Sequence, residues 1–154
     1  MYSIEEFDRC KTKVLKYILY KKRTENEVRT KFNSSIEEDL LEDVIEYLKE
    51  NKYIDDSDYI KRTINNFKIL KSLSIVELRY KLLSKGIDKN LIEDYIYENK
   101  DEITEYEINS AIKIIDKKSK ELEKKEIISY LMKKGYKKDN ILVAYEKLEK
   151  GEWW

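Results

Sequence analysis

The apolar residues of this chain, mainly Ile, Leu and Tyr, recur at the spacing of one helix face, and charged residues fill the positions between them. Capping boxes mark where such helices begin, because a Ser or Thr side chain bonds a free backbone N–H and a Glu three residues later bonds back. Four boxes occur, at Thr24 with Glu27, Ser35 with Glu38, Ser74 with Glu77, and Thr104 with Glu107. The pattern therefore predicts a chain of short helices.

Glycines mark two of the helix ends. Gly86 and Gly135 each follow a lysine, and glycine supplies the left-handed residue that ends a helix without a Cβ penalty. Proline is absent and only three glycines occur. Few residues would therefore interrupt a helix, and strands would lack the residues that form the turns between them. The fold class is predicted as all-α, with nine helices at residues 4–21, 25–33, 36–51, 57–71, 75–85, 89–98, 105–121, 124–134 and 139–149.

The chain repeats itself with a period of about fifty residues. Residues 74–96 agree with residues 123–145 at six positions, and "TENEVRTKF" (24–32) matches "SIVELRYKL" (74–82). Neighbouring repeats of this kind bury faces that one unit cannot bury alone. We predict three tandem three-helix repeats forming an elongated array, at 1–55, 56–100 and 101–150, followed by a tail at 151–154.

The charge alternates with the same period. The net charge is +6 over 8–31, −8 over 36–58, +6 over 61–85, −6 over 88–107 and +6 over 112–138, although the whole chain is neutral. Two interpretations stay open. Basic and acidic helices neutralise one another between repeats, or one edge is a basic strip for an elongated acidic partner, either nucleic acid or a protein filament.

Composition excludes several classes of protein. The single cysteine, Cys10, cannot form an internal disulfide and is expected to be a packed thiol; with no His, a classical zinc site or a hydrolase with a His base is impossible. No apolar run is long enough to cross a bilayer, and no secretory leader is apparent. We expect an intracellular, cytoplasmic, non-enzymatic protein without cofactor.

Three segments carry a resemblance to a known family. "RTENEVRTKF" (23–32), "YIDDSDYI" (53–60) and "LRYKLLSKGI" (78–87) resemble, in order and separation, segments of the RecX family, which modulates the RecA recombinase in bacteria. The chain departs from the family pattern at Tyr59, Ile60 and Lys81. The resemblance implies a curved, right-handed-type helical array that binds the RecA nucleoprotein filament as a monomer and inhibits its ATPase, strand exchange and growth.

Candidate residues follow from the basic helices and the resemblance. Asp55 and Asp56, which invite a catalytic or metal interpretation, are expected to cap a helix, and Tyr59 to anchor that helix on the preceding unit. Trp153 and Trp154 are expected to dock on the protein's own surface or to bind a partner. The residues predicted for contact with the RecA filament or DNA are Arg23, Arg29, Lys31, Arg62, Arg79, Lys81, Lys85, Lys133 and Lys134.

Two further functions stay open. Residues 78–96 also outline a helix-turn-helix, which would make the chain a direct binder of single- or double-stranded DNA, although the acidic helix after Gly86 is a poor occupant of a major groove. A protein-binding scaffold of the HEAT or armadillo kind is the other, although those repeats are shorter, about 40 to 47 residues.

Overall fold

A computed structural model describes residues 1–70 and 73–151 of the chain, and these residues form helices and no strand. The described helices are α1 (Ile4–Tyr20), α2 (Glu25–Phe32), α3 (Glu38–Glu50), α4 (Asp56–Leu70), α5 (Ile75–Ser84), α6 (Lys89–Glu98), α7 (Lys100–Lys118), α8 (Lys124–Lys133) and α9 (Lys138–Lys150). The all-α prediction is confirmed. None of these helices is both long and apolar enough to span a membrane. The two tryptophans lie outside the described residues.

Two of the four expected capping boxes form, and two do not. Thr24 and Ser74 each begin a helix with both reciprocal hydrogen bonds of the box in place. Ser35 does not begin α3, whose N-cap is Glu37; its hydroxyl donates to the Phe32 carbonyl at 3.4 Å. Thr104 lies inside α7, which begins at Lys100.

The early start of α7 has a physical reason in its first turn. Ile103 is buried in the core of the preceding helices, and its place in the first turn of α7 aims this side chain inward. The carboxylate of Glu107, expected to fold back onto the backbone at Thr104, accepts hydrogen bonds from other helices instead. The prediction that this helix starts at residue 105 was therefore wrong.

Three separate apolar cores hold the helices together in threes. The first is made by α1–α3 with Ile54, the second by α4–α6 with Ile103, and the third by α7–α9. We call these groups of helices the first, second and third units. Cys10 is partly buried against the first core. Because Ile103 lies on α7 but packs in the second core, the boundary between the last two units is shared by both; the exact repeat boundaries stay a prediction.

Consecutive units meet through the same hydrogen bond at both joints. The Thr24 hydroxyl at the start of α2 donates to the Lys85 carbonyl at the end of α5, at 2.8 Å. The Ser74 hydroxyl at the start of α5 donates in the same way to the Lys134 carbonyl at the end of α8, at 2.7 Å. Helices α2, α5 and α8 are thus placed end to end, with the positive end of one dipole facing the negative end of the next.

Each joint also receives a carboxylate from the first helix of the following unit. Asp56 Oδ1 accepts a hydrogen bond from Glu25 N at 3.0 Å, and Glu107 Oε1 accepts one from Ile75 N at 3.0 Å. Both bonds satisfy the first free N–H of a helix, which a buried helix start requires. The two carboxylates therefore have the same role, which is to cap the start of the second helix of the preceding unit.

The second joint is the more buried of the two. Glu107 is fully buried and its other oxygen accepts from Lys137 N, at 3.3 Å, and from the Asn140 amide. Asp56 is only partly buried, and desolvation raises its pKa. The joint between the last two units is therefore held by a carboxylate that water does not reach, and the joint between the first two by one that water does.

Candidate partner-binding surface

The structure places eight of the nine predicted contact residues in two sets of four by what they touch, and Lys133 in neither. In the first set each cation forms an ion pair with a carboxylate of the same chain. Arg62 Nε lies 2.6 Å from Asp58 Oδ2, Arg79 Nε lies 2.7 Å from Glu93 Oε1, and Lys85 Nζ lies 3.7 Å from Glu27 Oε2. Arg29 completes this set. Internal pairing leaves these four cations less charge to offer a partner.

Arg29 is the most strongly paired member of that set. Its guanidinium donates to both oxygens of Glu42, at 2.6 and 2.9 Å, and its Nε donates to Glu25 at 3.1 Å. The hydrogen bonds from Arg29 hold the pKa of Glu42 below its usual range. A bidentate pair of this kind ties α2 to α3. The prediction that Arg29 contacts a partner is therefore not favoured by its environment.

In the second set an aromatic ring supports each cation. Arg23 lies 4.0 Å and Lys31 5.8 Å from the centre of the Tyr17 ring, Lys81 lies 5.3 Å from that of Phe67, and Lys134 lies 5.4 Å from that of Tyr130. In the described part of the chain, none of these four pairs with a carboxylate. Lys133 is exposed and has neither kind of contact among the described residues.

A ring beneath a cation changes what the cation can do. The ring quadrupole attracts the positive charge without neutralising it, so the side chain is held in place while its charge stays available. A prepositioned lysine loses less side-chain entropy when it meets an anion than a free one does. The ring-supported cations are thus the part of the predicted set best suited to bind an acidic partner.

Sequence reasoning missed one member of this set. Lys118 Nζ lies 4.3 Å from the centre of the Tyr130 ring, closer than Lys134 does, and no carboxylate of the described residues pairs with it. The residue stands in the basic segment 112–138, but charge counting alone gives no reason to choose it among ten lysines. The sequence signal that could have identified Lys118 is its repeat position, because it lies 51 residues after Phe67, where the earlier units have an aromatic residue.

Lysines also lie over rings on the third helices. Lys11 lies over Tyr47 and Lys124 over Tyr145, and each of these lysines also forms an ion pair with a carboxylate. Lys100 lies 5.2 Å from the centre of the Tyr97 ring and has no carboxylate partner among the described residues. The lysines over rings next to α2, α5 and α8 therefore have no carboxylate partner in the described residues, whereas two of the three over rings on the acidic helices do.

Most of the residues expected to have structural roles lie at the first joint, and Gly135 lies at the second. Asp55 Oδ1 accepts a hydrogen bond from Asp58 N at 3.1 Å, at the start of α4, and Asp56 caps α2 as described. Tyr59 packs against the second core, and burial raises its pKa. Gly86 and Gly135 both have a positive φ, of 77° and 96°. No group of acidic side chains in the described residues is arranged to hold a metal ion.

Comparison with known proteins places this geometry in a family. No protein-family model matches the chain. The chain is 32% identical to the regulatory protein RecX of Clostridium perfringens (strain 13 / Type A) over 145 residues, which are 88% of this chain and 66% of that protein. It is also 32% identical to the regulatory protein RecX of Finegoldia magna, covering 89% of this chain and 70% of that protein.

A solved structure shares the fold. The crystal structure of RecX from Lactobacillus salivarius superposes with a TM-score of 0.77 at 25% identity, covering 96% of this chain and 99% of the solved one. The chain spans only about six tenths of the length of several curated relatives, for example 58% of the Staphylococcus epidermidis protein. At 32% identity over most of its length and with the same helical architecture, the chain belongs to the RecX family of regulatory proteins.

Proposed function

We propose that this protein binds the RecA–DNA filament and inhibits RecA ATP hydrolysis, strand exchange and filament growth. The relatives are named regulatory proteins, which agrees with a role as a binding module and not as an enzyme. The observation that carries the proposal is the set of ring-supported cations free of carboxylate partners in the described residues, because it leaves positive charge ready for an acidic surface. The setting would be DNA repair and homologous recombination in the SOS response, in the cytoplasm, with the protein acting as a monomer.

Inhibition by such a module would rest on differential affinity. A ligand shifts an equilibrium only as far as it binds one state better than the other. A protein with three linked units can contact several filament subunits at once, and each added contact raises the effective concentration of the next. Bound along the filament, the array would block exchange of the second DNA and subunit addition.

The test of the function uses the wild-type protein. It should sediment with RecA assembled on single-stranded DNA and, at equimolar concentration or below, lower the DNA-dependent ATPase of RecA. RecA without DNA serves as the control for binding to free subunits. Unchanged ATP hydrolysis together with no co-sedimentation would remove the proposed function.

A charge variant tests which cations matter. Changing the five ring-supported cations Arg23, Lys31, Lys81, Lys118 and Lys134 together to glutamine should weaken filament binding tenfold or more, because the uncompensated charges are lost. The matched control removes five exposed cations that lie over no ring in the described residues, by changing Arg9, Lys13, Lys16, Lys61 and Lys89 to glutamine. Equal losses for the two variants would mean that only net charge matters, and would contradict a role for the ring-supported set.

A further inference from the structure

In each unit a lysine of one helix and an aromatic ring of the other meet between the first and second helices, and the rings of the first and third units also carry Arg23 and Lys134. In the first unit Lys31 of α2 lies over Tyr17 of α1, and in the second unit Lys81 of α5 lies over Phe67 of α4. The third unit has the reverse arrangement, because Lys118 of α7 lies over Tyr130 of α8. The two kinds of side chain have exchanged helices.

The numbering shows that the three pairs are equivalent. From the first unit to the second, both positions advance by 50 residues, from 17 to 67 and from 31 to 81. From the second to the third, the first-helix position advances by 51, as do Asp56 and Glu107, the two carboxylates that cap the joints. The second-helix position advances by 49, as do the lysines whose carbonyls accept the joint hydrogen bonds.

The exchange in the third unit shows that the contact is retained even though its two side chains have changed helices. Neither the lysine nor the ring is tied to one helix, yet each unit retains a lysine of one helix in contact with a ring of the other. Their sum, a positive charge resting on a ring at one position per unit, is what the three units share. Because the two joints use the same hydrogen bonds, we expect these pairs to recur at similar intervals along the array.

The neighbourhood of the pairs suits a protein partner. Tyr20 stands one helical turn after Tyr17, and Leu70 one turn after Phe67, and both side chains are exposed, by 86% and 53%. An exposed apolar residue beside an unpaired cation is a combination that protein interfaces bury. The first two units therefore offer both a charge and an apolar contact, and the third offers the charge.

We propose that these three pairs are equivalent docking points for carboxylates on a protein surface that repeats at the spacing of the units. The inference rests on the proposed function and assigns its contact to the protein part of the filament and not to the DNA. Each unit supplies one ammonium, at Lys31, Lys81 and Lys118, and the ring holds it in place for the carboxylate.

Two observations favour carboxylates over the phosphates of a nucleic acid. The chain has no net charge and a pI of about 6.5, whereas nucleic-acid-binding domains are commonly strongly basic, with a pI above about 9. Binding of single strands also uses free ring faces on which bases stack, and here the three rings are partly buried and carry a lysine.

The experiment changes Lys31, Lys81 and Lys118 to glutamine singly and together, and measures affinity for RecA filaments on single-stranded DNA. Each single change should weaken binding by about threefold, and the triple change by about thirtyfold, because equivalent, well-separated contacts add in free energy. Lys13→Gln, on an exposed lysine with no ring contact in the described residues, should change affinity by less than about 1.5-fold. Equal affinities of the triple variant and the wild type would overturn the inference while leaving the proposed function intact.

The exchange itself gives the second measurement. Lys118→Tyr combined with Tyr130→Lys gives the third unit the arrangement of the first two, and should bind within about twofold of the wild type, unlike Lys118→Gln. Thermal unfolding of each variant shows whether the pair merely fastens the helices, since that role would change the melting temperature and leave affinity unaltered.

An oligonucleotide alone tests the choice of partner. Tight binding of single-stranded DNA in the absence of RecA, lost in the triple lysine variant, would assign the three points to phosphates and overturn the carboxylate proposal. Failure of the wild type to bind the filament at all would remove the proposed function, and this inference with it.

Discussion

Replacing Glu107 with alanine is expected to lower the free energy of unfolding by about 3 kcal/mol, because two buried donors and one partly buried donor lose their acceptor. The carboxylate accepts from Ile75 N in the second unit and from Lys137 N and Asn140 in the third. Each donor left unsatisfied costs roughly 1 to 3 kcal/mol, and water entering the space of the deleted side chain would recover part of the loss. Urea unfolding followed by circular dichroism measures the difference.

Glu105 provides the matched control for this change. It lies two residues away on α7, is exposed, and has no hydrogen bond or ion pair among the described residues, so Glu105→Ala should change stability by less than about 0.5 kcal/mol. Amide exchange adds a local measurement, since the Ile75 and Lys137 N–H groups should lose protection in the Glu107 variant. Equal stabilities of the two alanine variants would show that the Glu107 network does not hold the joint.

Replacing Gly86 with alanine is expected to cost about 3 kcal/mol, by two separate effects. Its φ of 77° is strained for any residue with a Cβ, which accounts for roughly 1 to 2 kcal/mol. A Cβ at this position would also overlap Cβ and Cγ of Asn26 on α2, and overpacking typically adds 1 to 3 kcal/mol. The Asn26 Cβ is fixed by its backbone, so rotation of the side chain cannot relieve the overlap.

The other two glycines separate these effects. Gly151 has a φ of 70°, and a Cβ added there would meet no described atom within 4 Å, so Gly151→Ala should show the backbone cost alone. At Gly135, with a φ of 96°, a Cβ would lie 2.8 Å from Val76 Cβ, so Gly135→Ala should resemble the Gly86 variant. Thermal melts of the three variants give the comparison. A Gly86→Ala loss no larger than that of Gly151→Ala would contradict the close approach of the two units.

Both predictions concern the joints, which also decide how the proposed docking points are arranged. The Thr24 hydroxyl helps to hold Lys31 on α2 at a fixed separation from Lys81 on α5, and the Ser74 hydroxyl helps to hold α5 relative to the third unit. A variant with a weakened joint would therefore bind a periodic partner less well even with every lysine in place. Under the proposed function, the repeated hydrogen bond would serve binding as well as stability.

The sequence predicted the helices well where the signal was local. Thr24, Ser74, Gly86 and Gly135 act within one helical turn, and all four behave as their residue types require. Ser35 and Thr104 carry the same local signal and fail, since α3 begins two residues later than the Ser35 box predicts and Glu107, meant to complete the Thr104 box, accepts hydrogen bonds from other helices. A capping box is therefore a conditional signal, which tertiary contacts can override.

The sequence by itself determined the all-α class, the fifty-residue period and the alternation of charge, because these depend on residue spacing alone. Only the tertiary structure decided which cations pair with a carboxylate of the same chain and which lie over aromatic rings. These contacts join side chains that are up to a full unit apart in the sequence. Arg29 and Lys31 look alike in the sequence, yet the first is bound to Glu42 and the second lies over Tyr17. The electrostatic field of a lysine or arginine is set by the neighbours that folding brings to it, and residue order does not specify them.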